Sequence, residues 1–295
     1  MCAENWAKGA TAQFRWLVPV IEYYNQTQFD YRAVWLDSEN LAFHFGYYGE
    51  RIDDHAQALA NTNRVLSEVA RIRPGERVLD AGCGLGGSCL WLAEHRSADV
   101  VGITPVMHQV TKARTIAASR SLGDRVRFER ADYSRTAFPD GSFDVVWALE
   151  SLCHAVEKAA FYRESARLLR PGGRLVVAEY IRTSRDVNAQ GEALMRQWLD
   201  GWAIPDLDTP DEHIGAADRA GFAEVRLIDN TAKADRSLRR LYKLARIAWA
   251  VDWTLYAFGF RSKTQHGNVV AALRQYQALR QGLWFYGILS ATKPW

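Results

Sequence analysis

Short apolar runs alternate with segments of helical periodicity over most of the chain. Apolar runs separated by helix-length segments are typical of parallel βαβ units, whose sheet is covered on both faces. The predicted strands are 77–82, 98–104, 125–133, 143–151, 174–181, 223–230 and 284–294. The turn Pro171-Gly172-Gly173 is expected to end one helix and to lead directly into the fifth strand. The pattern therefore predicts an α/β fold with a doubly wound, mostly parallel sheet of seven strands.

Two parts of the chain show helical periodicity instead. Residues 1–70 carry aromatic side chains at helical spacing without a strand signal, and two helices are predicted at 235–260 and 268–282. A further helix is predicted to begin at Thr209, followed by Pro210 in its first turn. We therefore expect four regions: a helical N-terminal lid (1–70), the core (71–231), a helical cap insertion (232–283) and the last core strand (284–295).

Composition narrows the class of protein. The 295 residues are 48% hydrophobic and 24% charged, which excludes a disordered chain and is typical of a globular protein. The 11 Trp, 12 Tyr and 12 Phe residues are more rings than a core of this size needs, so we expect an aromatic-lined site. The net charge of +3 is too small to require a nucleic-acid partner, and none is expected.

Cysteine usage and hydropathy bear on location. The four cysteines lack zinc-binding spacing and the N-terminus lacks an apolar leader, so we expect a reduced, cytoplasmic protein. The most apolar stretch, 247–260, spans only 14 residues and contains Asp252, so stable membrane insertion is not expected.

A glycine-rich loop, 80–87 (DAGCGLGG), joins the first predicted strand to a helix. Gly82, Gly84 and Gly87 satisfy G-x-G-x-x-G, so a nicotinamide or flavin dinucleotide site is one interpretation. However, the second strand ends at Thr104, where a dinucleotide site would have an acid for the ribose. Asp80 also places a carboxylate at the mouth of the loop, where it would attract a cationic amino acid moiety and repel a pyrophosphate. A cationic ligand is therefore favoured.

The segment LDAGCGLGG resembles motif I of the class I S-adenosylmethionine-dependent methyltransferases. This resemblance implies a Rossmann-like methyltransferase fold that binds S-adenosyl-L-methionine. It also implies that Gly82, Gly84 and Gly86 allow close approach of the cofactor and that Asp80 lies near its amino acid end. Asp132 and Tyr133, after the third strand, resemble the acid and the ring beside the adenine.

Thr104 and Gln109 resemble the G-[VIL]-[TN]-x-x-x-x-Q segment of the sterol, tocopherol and geranyl diphosphate C-methyltransferase group. The resemblance implies that these two neutral side chains hold the ribose. The alternative is that they are only a strand-end Thr and a helix-surface Gln. The YYN and FGY boxes of the same group fold over the cofactor; their matches here imply Tyr24 as a cofactor residue. The corresponding substrate-binding residues would be Tyr23, Asn25, Phe45 and Tyr47.

The segment Glu150-Ser-Leu-Cys-His154-Ala follows the fourth strand and is similar to the E-[AS]-x-C-H-A stretch of the sterol methyltransferases. The carboxyl ends of parallel strands collect reactive groups, so we expect Glu150 beside the cofactor's methyl group. Methylation of an alkene carbon leaves a tertiary carbocation, and a carboxylate can both stabilise that cation and take its proton. His154 either relays the proton or bonds to backbone.

The sequence signals for substrate-binding residues are less specific than those for the cofactor. Rings facing the cation would each contribute about 0.5–2 kcal/mol, and Trp202 and Trp253 are expected among them, although single rings more often pack in a core. Arg239 belongs to a basic helical stripe, which suits a diphosphate or is simply a solvated face. No metal-ligand spacing is convincing, so Mg²⁺ is expected only with a diphosphate substrate.

The favoured hypothesis is a C-methyltransferase that methylates an alkene carbon of an isoprenoid, most simply a short prenyl diphosphate, with Glu150 as the base. The alternative in the same class is an N- or O-methyltransferase of a small hydrophobic amine or phenol. A cofactor-binding module without catalysis is a third hypothesis. A small-molecule isoprenoid is the expected partner, and homo-oligomerisation is left open.

Overall fold

The computed structural model describes residues 17–34, 40–49 and 51–295. Its strands are β1 (Arg77–Ala81), β2 (Asp99–Thr104), β3 (Val126–Arg130), β4 (Phe143–Leu149), β5 (Leu169–Arg182), β6 (Ala223–Asp229) and β7 (Trp284–Thr292). Its helices are α1 (Val18–Gln26), α2 (Gln28–Val34), α3 (His55–Val69), α4 (Gly87–Arg96), α5 (Met107–Ser119), α6 (Lys158–Leu168), α7 (Ala189–Gly201), α8 (Pro210–Arg219), α9 (Thr231–Ala257) and α10 (Lys263–Arg280). All seven predicted strands are present, which confirms the predicted fold class.

The sheet has the strand order β3-β2-β1-β4-β5-β7-β6. β1 to β5 pair in parallel, whereas β7 runs antiparallel to both β5 and β6. The start of β7 therefore lies at the same edge of the sheet as the carboxyl ends of β4 and β5. Apolar side chains form one buried cluster on each face of the sheet, so its carboxyl edge is rigidly supported.

The Pro171-Gly172-Gly173 prediction was wrong in detail. α6 ends at Leu168 and β5 already begins at Leu169, so these three residues lie within the strand. They form a bulge, because Phe143 pairs with Leu169 but Val145 pairs with Arg174. Gly172 has φ of +73°, a left-handed conformation that only glycine adopts without strain, and this permits the irregular register.

The helices outside the sheet follow the predicted pattern where they are described. Thr209 and Glu212 form a capping box at the start of α8, and α9 and α10 connect β6 to β7. The predicted N-terminal lid extends over residues 1–16, 35–39 and 50, which lie outside the described part of the chain. In the described part, no helix has the length and apolar character needed to cross a bilayer.

Candidate active site

A cavity opens at the carboxyl edge of the sheet, under the segment 41–44 and helix α1. We call it the loop cavity, because the glycine-rich loop forms its floor. Its walls include seven predicted cofactor residues and both predicted catalytic residues: Tyr24, Asp80, Gly82, Gly84, Thr104, Gln109, Tyr133, Glu150 and His154. The strand ends thus bring together residues that lie as far as 130 positions apart in sequence.

Glycine occupies the positions of this loop for different structural reasons. Gly82 has φ of +99°, and a Cβ placed there would lie 2.3 Å from Cβ of Ser151. Gly84 also has positive φ and lines the cavity. Gly86 is not part of the cavity wall; a Cβ there would lie 2.4 Å from the Phe128 ring, so this glycine serves close packing of the helix on the sheet.

Asp80 is a buried carboxyl group at the end of β1, and it faces the loop cavity. Its Oδ2 accepts a hydrogen bond from the Cys89 thiol at 3.1 Å. Burial raises the pKa of Asp80 to about 7, with the thiol opposing the shift weakly. A cationic group in the cavity would stabilise the ionised form and supply the partner that a buried carboxylate needs.

The predicted ribose pair is assembled at the end of β2. Thr104 and Gln109 are both buried, and Thr104 Oγ1 donates to Gln109 Oε1 at 2.7 Å. Tyr133 lines the cavity and donates from its hydroxyl to the Ser151 carbonyl at 3.0 Å. Asp132 is buried behind the wall and accepts from the Ser134 amide at 2.8 Å.

Glu150 occupies the residue position directly after β4 with φ of +51°, a conformation that costs a non-glycine residue about 1–2 kcal/mol. Its carboxylate accepts three hydrogen bonds. Oε1 accepts from the Phe45 amide at 2.7 Å and from the Tyr286 hydroxyl at 2.6 Å, and Oε2 accepts from the Tyr180 hydroxyl. Burial raises the pKa of Glu150 to about 8, and these three donors oppose that shift. The side chain is therefore fixed in direction and poised near neutral pH.

A second, smaller cavity also has Glu150 in its wall. We call it the aromatic chamber, since six of its ten lining side chains are rings of Phe, Tyr or Trp: Tyr23, Tyr24, Tyr31, Phe43, Tyr180 and Trp202. Glu150, His154, Tyr24 and Phe43 line both cavities. Glu150 therefore stands at the junction between the loop cavity and the aromatic chamber.

His154 is neutral and held in one tautomer. Burial lowers the pKa of His154 to about 4. Its Nδ1 lies 3.2 Å from the Ala203 carbonyl, which can only accept, so Nδ1 carries the proton. Nε2 is consequently an acceptor, and the Tyr24 hydroxyl donates a hydrogen bond to it at 3.1 Å. The ring therefore bonds to backbone, as one of the two sequence-based interpretations expects, while the proton relay stays a prediction.

The remaining predicted substrate residues occupy three different environments. Phe45 and Tyr47 are fully buried and pack their rings against Tyr286 behind Glu150, so they support the site without lining it. Asn25 is exposed and contacts His108 at 2.9 Å. Arg239 pairs with Asp235 at 2.5 Å on the outer face of α9, and Trp253 is 51% exposed on the same helix. The structure does not bring these last three to Glu150.

Sequence reasoning missed the two tyrosines that hold Glu150. Tyr180 and Tyr286 are direct partners in the antiparallel β5–β7 ladder, so both hydroxyls reach the same edge of the sheet. Glu179 was also missed; it is fully buried, accepts from the Cys153 amide at 2.7 Å, and its pKa is raised by burial to about 7. For Glu179 and Tyr180, the signal that could have found them is the EY pair at the end of a predicted strand; Tyr286 carries no comparable signal.

The electrostatics of both cavities favour a cation. Among the described side chains that line them, none is Lys or Arg, whereas Asp80 and Glu150 are buried carboxyl groups. Within 17–34, 40–49 and 51–295, no cluster of three His, Cys, Asp or Glu side chains is suited to a metal ion. Three acidic residues form ion pairs with arginines: Asp53 pairs with Arg236, and Asp206 and Glu212 pair with Arg185.

Comparison with known proteins places this geometry in a family. Residues 79–177 match the family model described as a methyltransferase domain. The chain is 31% identical to the tocopherol O-methyltransferase of Arabidopsis thaliana over 93% of this chain and 82% of that protein. It is 34% identical to the sterol 24-C-methyltransferase ERG6B of Gibberella zeae over 72% of this chain, but the match spans 56% of that protein. The match to methyltransferase GfsG of Streptomyces halstedii, 38% identical over 54% of this chain, likewise spans 57% of its length.

The fold matches solved structures as well. Geranyl diphosphate C-methyltransferase from Streptomyces coelicolor, solved with Mg²⁺, geranyl diphosphate and S-adenosyl-L-homocysteine, superposes with a TM-score of 0.70 over 96% of this chain and 98% of that one, at 18% identity. The chain belongs to the class I S-adenosylmethionine-dependent methyltransferases, and its cofactor is S-adenosyl-L-methionine. Two features of the loop cavity fit this cofactor: the glycine positions where a Cβ would clash, and the buried Asp80 carboxyl group for the cofactor's ammonium.

Replacing Asp80 by Asn is expected to weaken binding of S-adenosylmethionine about 10- to 100-fold at pH 8, the range of a hydrogen bond to a charged group. In the wild-type protein, affinity should rise between pH 6 and pH 8, because Asp80 must ionise from a pKa of about 7 to pair with the ammonium. Titration calorimetry measures both effects. Asp124→Asn, at an exposed site, removes the same charge and should change neither the cofactor affinity nor its pH dependence. If the pH dependence persists in Asp80→Asn, a group other than Asp80 causes it.

Proposed function

We propose that the protein transfers the cofactor's methyl group to an alkene carbon of a lipophilic isoprenoid and that Glu150 removes the proton from the resulting carbocation. The observation that supports this proposal most strongly is the position of the Glu150 carboxylate between the loop cavity and the aromatic chamber. A substrate in the chamber would have its reacting carbon between Glu150 and the cofactor.

The proton balance of this reaction defines what Glu150 must do. Bound S-adenosylmethionine would supply an electrophilic methyl group, and its sulfur would keep the electron pair of the broken S–CH3 bond to give S-adenosylhomocysteine. The alkene π pair forms the new C–C bond and leaves a cation on the neighbouring carbon. Glu150 accepts a proton from a carbon beside the cation, and the C–H electron pair becomes the product's double bond. Burial raises the pKa of Glu150 to about 8, so the ionised form that can accept this proton becomes more abundant as the pH rises toward 8.

The chamber's rings would stabilise the cation before it loses its proton. Tyr24, Tyr31 and Phe43 pack within 6.5 Å of one another, ring centre to ring centre. Each ring that faces the cation would contribute about 0.5–2 kcal/mol where water is excluded. A carboxylate and several π faces around one small space suit a transient carbocation better than an anion.

The same lining bears on the choice of substrate. With no Lys or Arg among the described side chains of the chamber, we infer that the substrate portion bound there is uncharged. The sterol and tocopherol relatives carry names of lipophilic substrates, which agrees with this inference. A prenyl diphosphate, with Mg²⁺, remains the sequence-based hypothesis. It would need its diphosphate to lie outside the chamber, for example toward the stripe that includes Arg239.

A second candidate function is methyl transfer to the oxygen or nitrogen of a hydrophobic phenol or amine. One observation favours it: His154 Nε2 is an acceptor that faces the shared wall of both cavities. If Tyr24 moves aside, this nitrogen could take a proton from a substrate hydroxyl. In this reaction Glu150 would only orient the substrate.

Incubation with methyl-labelled cofactor distinguishes the two functions. The acceptors are isopentenyl, geranyl and farnesyl diphosphates, a sterol with a side-chain alkene, a tocopherol precursor, and simple phenols and amines. The proposal expects a labelled methyl group on carbon in at least one isoprenoid product, identified by mass spectrometry and NMR. Label found only on oxygen or nitrogen would contradict it and support the second candidate.

Replacing Tyr180 by Phe should shift the acid limb of the C-methylation rate to higher pH. The Tyr180 hydroxyl stabilises ionised Glu150, so its loss raises the Glu150 pKa further and reduces the ionised fraction at pH 7. We expect about a tenfold lower rate at pH 7 and partial recovery at pH 9. Tyr162→Phe is the matched control, since this buried tyrosine bonds to His213 on the other face of the sheet. An unshifted profile in Tyr180→Phe would exclude Glu150 as the titrating base.

A further inference from the structure

The second half of α9 and the turn after it carry a large apolar surface that the described residues leave uncovered. We call residues 246–260 the apolar tip; within it, only Asp252 is buried. Ile247, Phe258 and Phe260 are 75–78% exposed, and Val251 is 64% exposed. A single exposed apolar side chain needs no explanation, but a contiguous group of this kind marks an interaction site.

The apolar tip is an ordered part of the fold. Asp252 is the one charged residue between 247 and 260, and it pairs with Arg261 at 2.6 Å and with His266 at 2.6 Å. Arg261 also pairs with Asp30 at 2.7 Å, which ties the tip to helix α2. The next helix, α10, begins with a capping box at Ser262. These contacts fix the tip from its inner side and leave its outer apolar face free to bind.

The surface around the tip is strongly basic. Residues 231–280 contain ten Lys and Arg residues and two Asp residues, a net charge of +8. The rest of the chain has 27 basic and 32 acidic residues, so it carries −5. Arg239, Lys243 and Arg246 are exposed and follow helical spacing along α9, so their stripe runs directly into the apolar tip.

We propose that the apolar tip and this basic stripe dock the protein on the surface of an anionic phospholipid bilayer. Exposed Trp and Phe side chains would enter the boundary between head groups and acyl chains, and the basic residues would lie at the level of the anionic head groups. A second copy of this chain fits less well, because a two-fold contact through this surface would place two regions of net charge +8 against each other. Nucleic acid would match the charge but leave the apolar side chains uncovered.

A groove beside the docking surface adjoins the aromatic chamber. The helix groove runs between α9 and α10, and exposed tip residues Ile247 and Val251 form part of its wall. Tyr31 and Trp202 line both this groove and the aromatic chamber. Docking would therefore place at the membrane surface a groove that adjoins the aromatic chamber, where we propose that a lipophilic substrate binds. This last step rests on the proposed lipophilic substrate, whereas docking itself does not.

Flotation of the full chain with vesicles tests the docking. We expect at least tenfold more protein bound to vesicles of phosphatidylcholine with 30% phosphatidylglycerol than to phosphatidylcholine alone, and a decrease at high salt. Trp249→Ser/Phe258→Ser/Phe260→Ser and, separately, Lys243→Glu/Arg246→Glu should each reduce binding at least tenfold without changing cofactor affinity. Ile228→Ser, at an exposed apolar residue of β6, is the matched control and should bind like wild type.

Several results would overturn the inference. These are equal binding to both vesicle types, full binding by the triple variant, or a wild-type dimer in light scattering that the triple variant converts to monomer. Failure of docking with isoprenoid methylation retained would reject the docking alone. Docking without methylation of any isoprenoid would reject the proposed function alone.

Discussion

Glu150→Gln should lower the rate of carbon methylation by about 100- to 10,000-fold, while affinity for S-adenosylmethionine changes little. This is the typical range for loss of a general base. Gln keeps the shape of the side chain and an oxygen that can accept hydrogen bonds from Tyr286 and Phe45. However, it cannot accept a proton, and it has no negative charge to stabilise a carbocation. Single-turnover measurements with saturating cofactor separate this loss from any change in binding.

The same variant provides its own control for folding. Because burial raises the pKa of Glu150 from 4.5 to about 8, the folded protein holds this proton between those pH values and the unfolded chain does not. Stability therefore falls as pH rises through this window, and Gln removes that dependence. Thermal unfolding should show the variant at least as stable as wild type at pH 8. If its methylation rate stays within threefold of wild type, Glu150 is not the base.

Gly82→Ala is expected to weaken cofactor binding by more than tenfold and to destabilise the fold by about 2–3 kcal/mol. The new Cβ would lie 2.3 Å from Cβ of Ser151, and φ of +99° is strained for any residue with a side chain. To relieve the clash, either the loop or Ser151 must move, and both form the wall of the loop cavity. Thermal unfolding and cofactor titration measure the two effects.

Gly123→Ala is the matched control for this prediction. Gly123 lies in the turn before β3, its φ is not positive, and a Cβ there has no neighbour within 4 Å. This variant should bind the cofactor as wild type does. Normal binding by Gly82→Ala would show that the loop adapts, and the packing of the loop against Ser151 would then not explain why glycine occupies position 82.

The sheet and the loop cavity could be predicted because they depend on local patterns. Alternating apolar runs specify parallel strands, and parallel strands place their carboxyl ends at one edge. Asp80, Thr104 and Glu150 each follow or end a strand, so their meeting follows from topology. The motif positions then predict the chemistry of that edge.

The surroundings of Glu150 could not be predicted in the same way. Tyr286 reaches Glu150 only because β7 is antiparallel, and a strand pattern does not give direction. Helical spacing likewise predicts a ring or a charge on a helix but not which face is covered. Arg239 and Trp253 thus face outward on α9. Phe45, in the irregular segment before α3, is buried in the core, which its sequence motif does not indicate. The position of a helix against the sheet is decided by packing over the whole domain.

A crystal structure with S-adenosylhomocysteine tests the central claim most directly. We predict that the nucleoside occupies the loop cavity near Thr104 and Gln109, with its ammonium at Asp80. Its sulfur should then face the Glu150 carboxylate across open space that leads into the aromatic chamber. A sulfur atom separated from Glu150 by protein atoms, or facing away from the chamber, would contradict the proposed role of this residue.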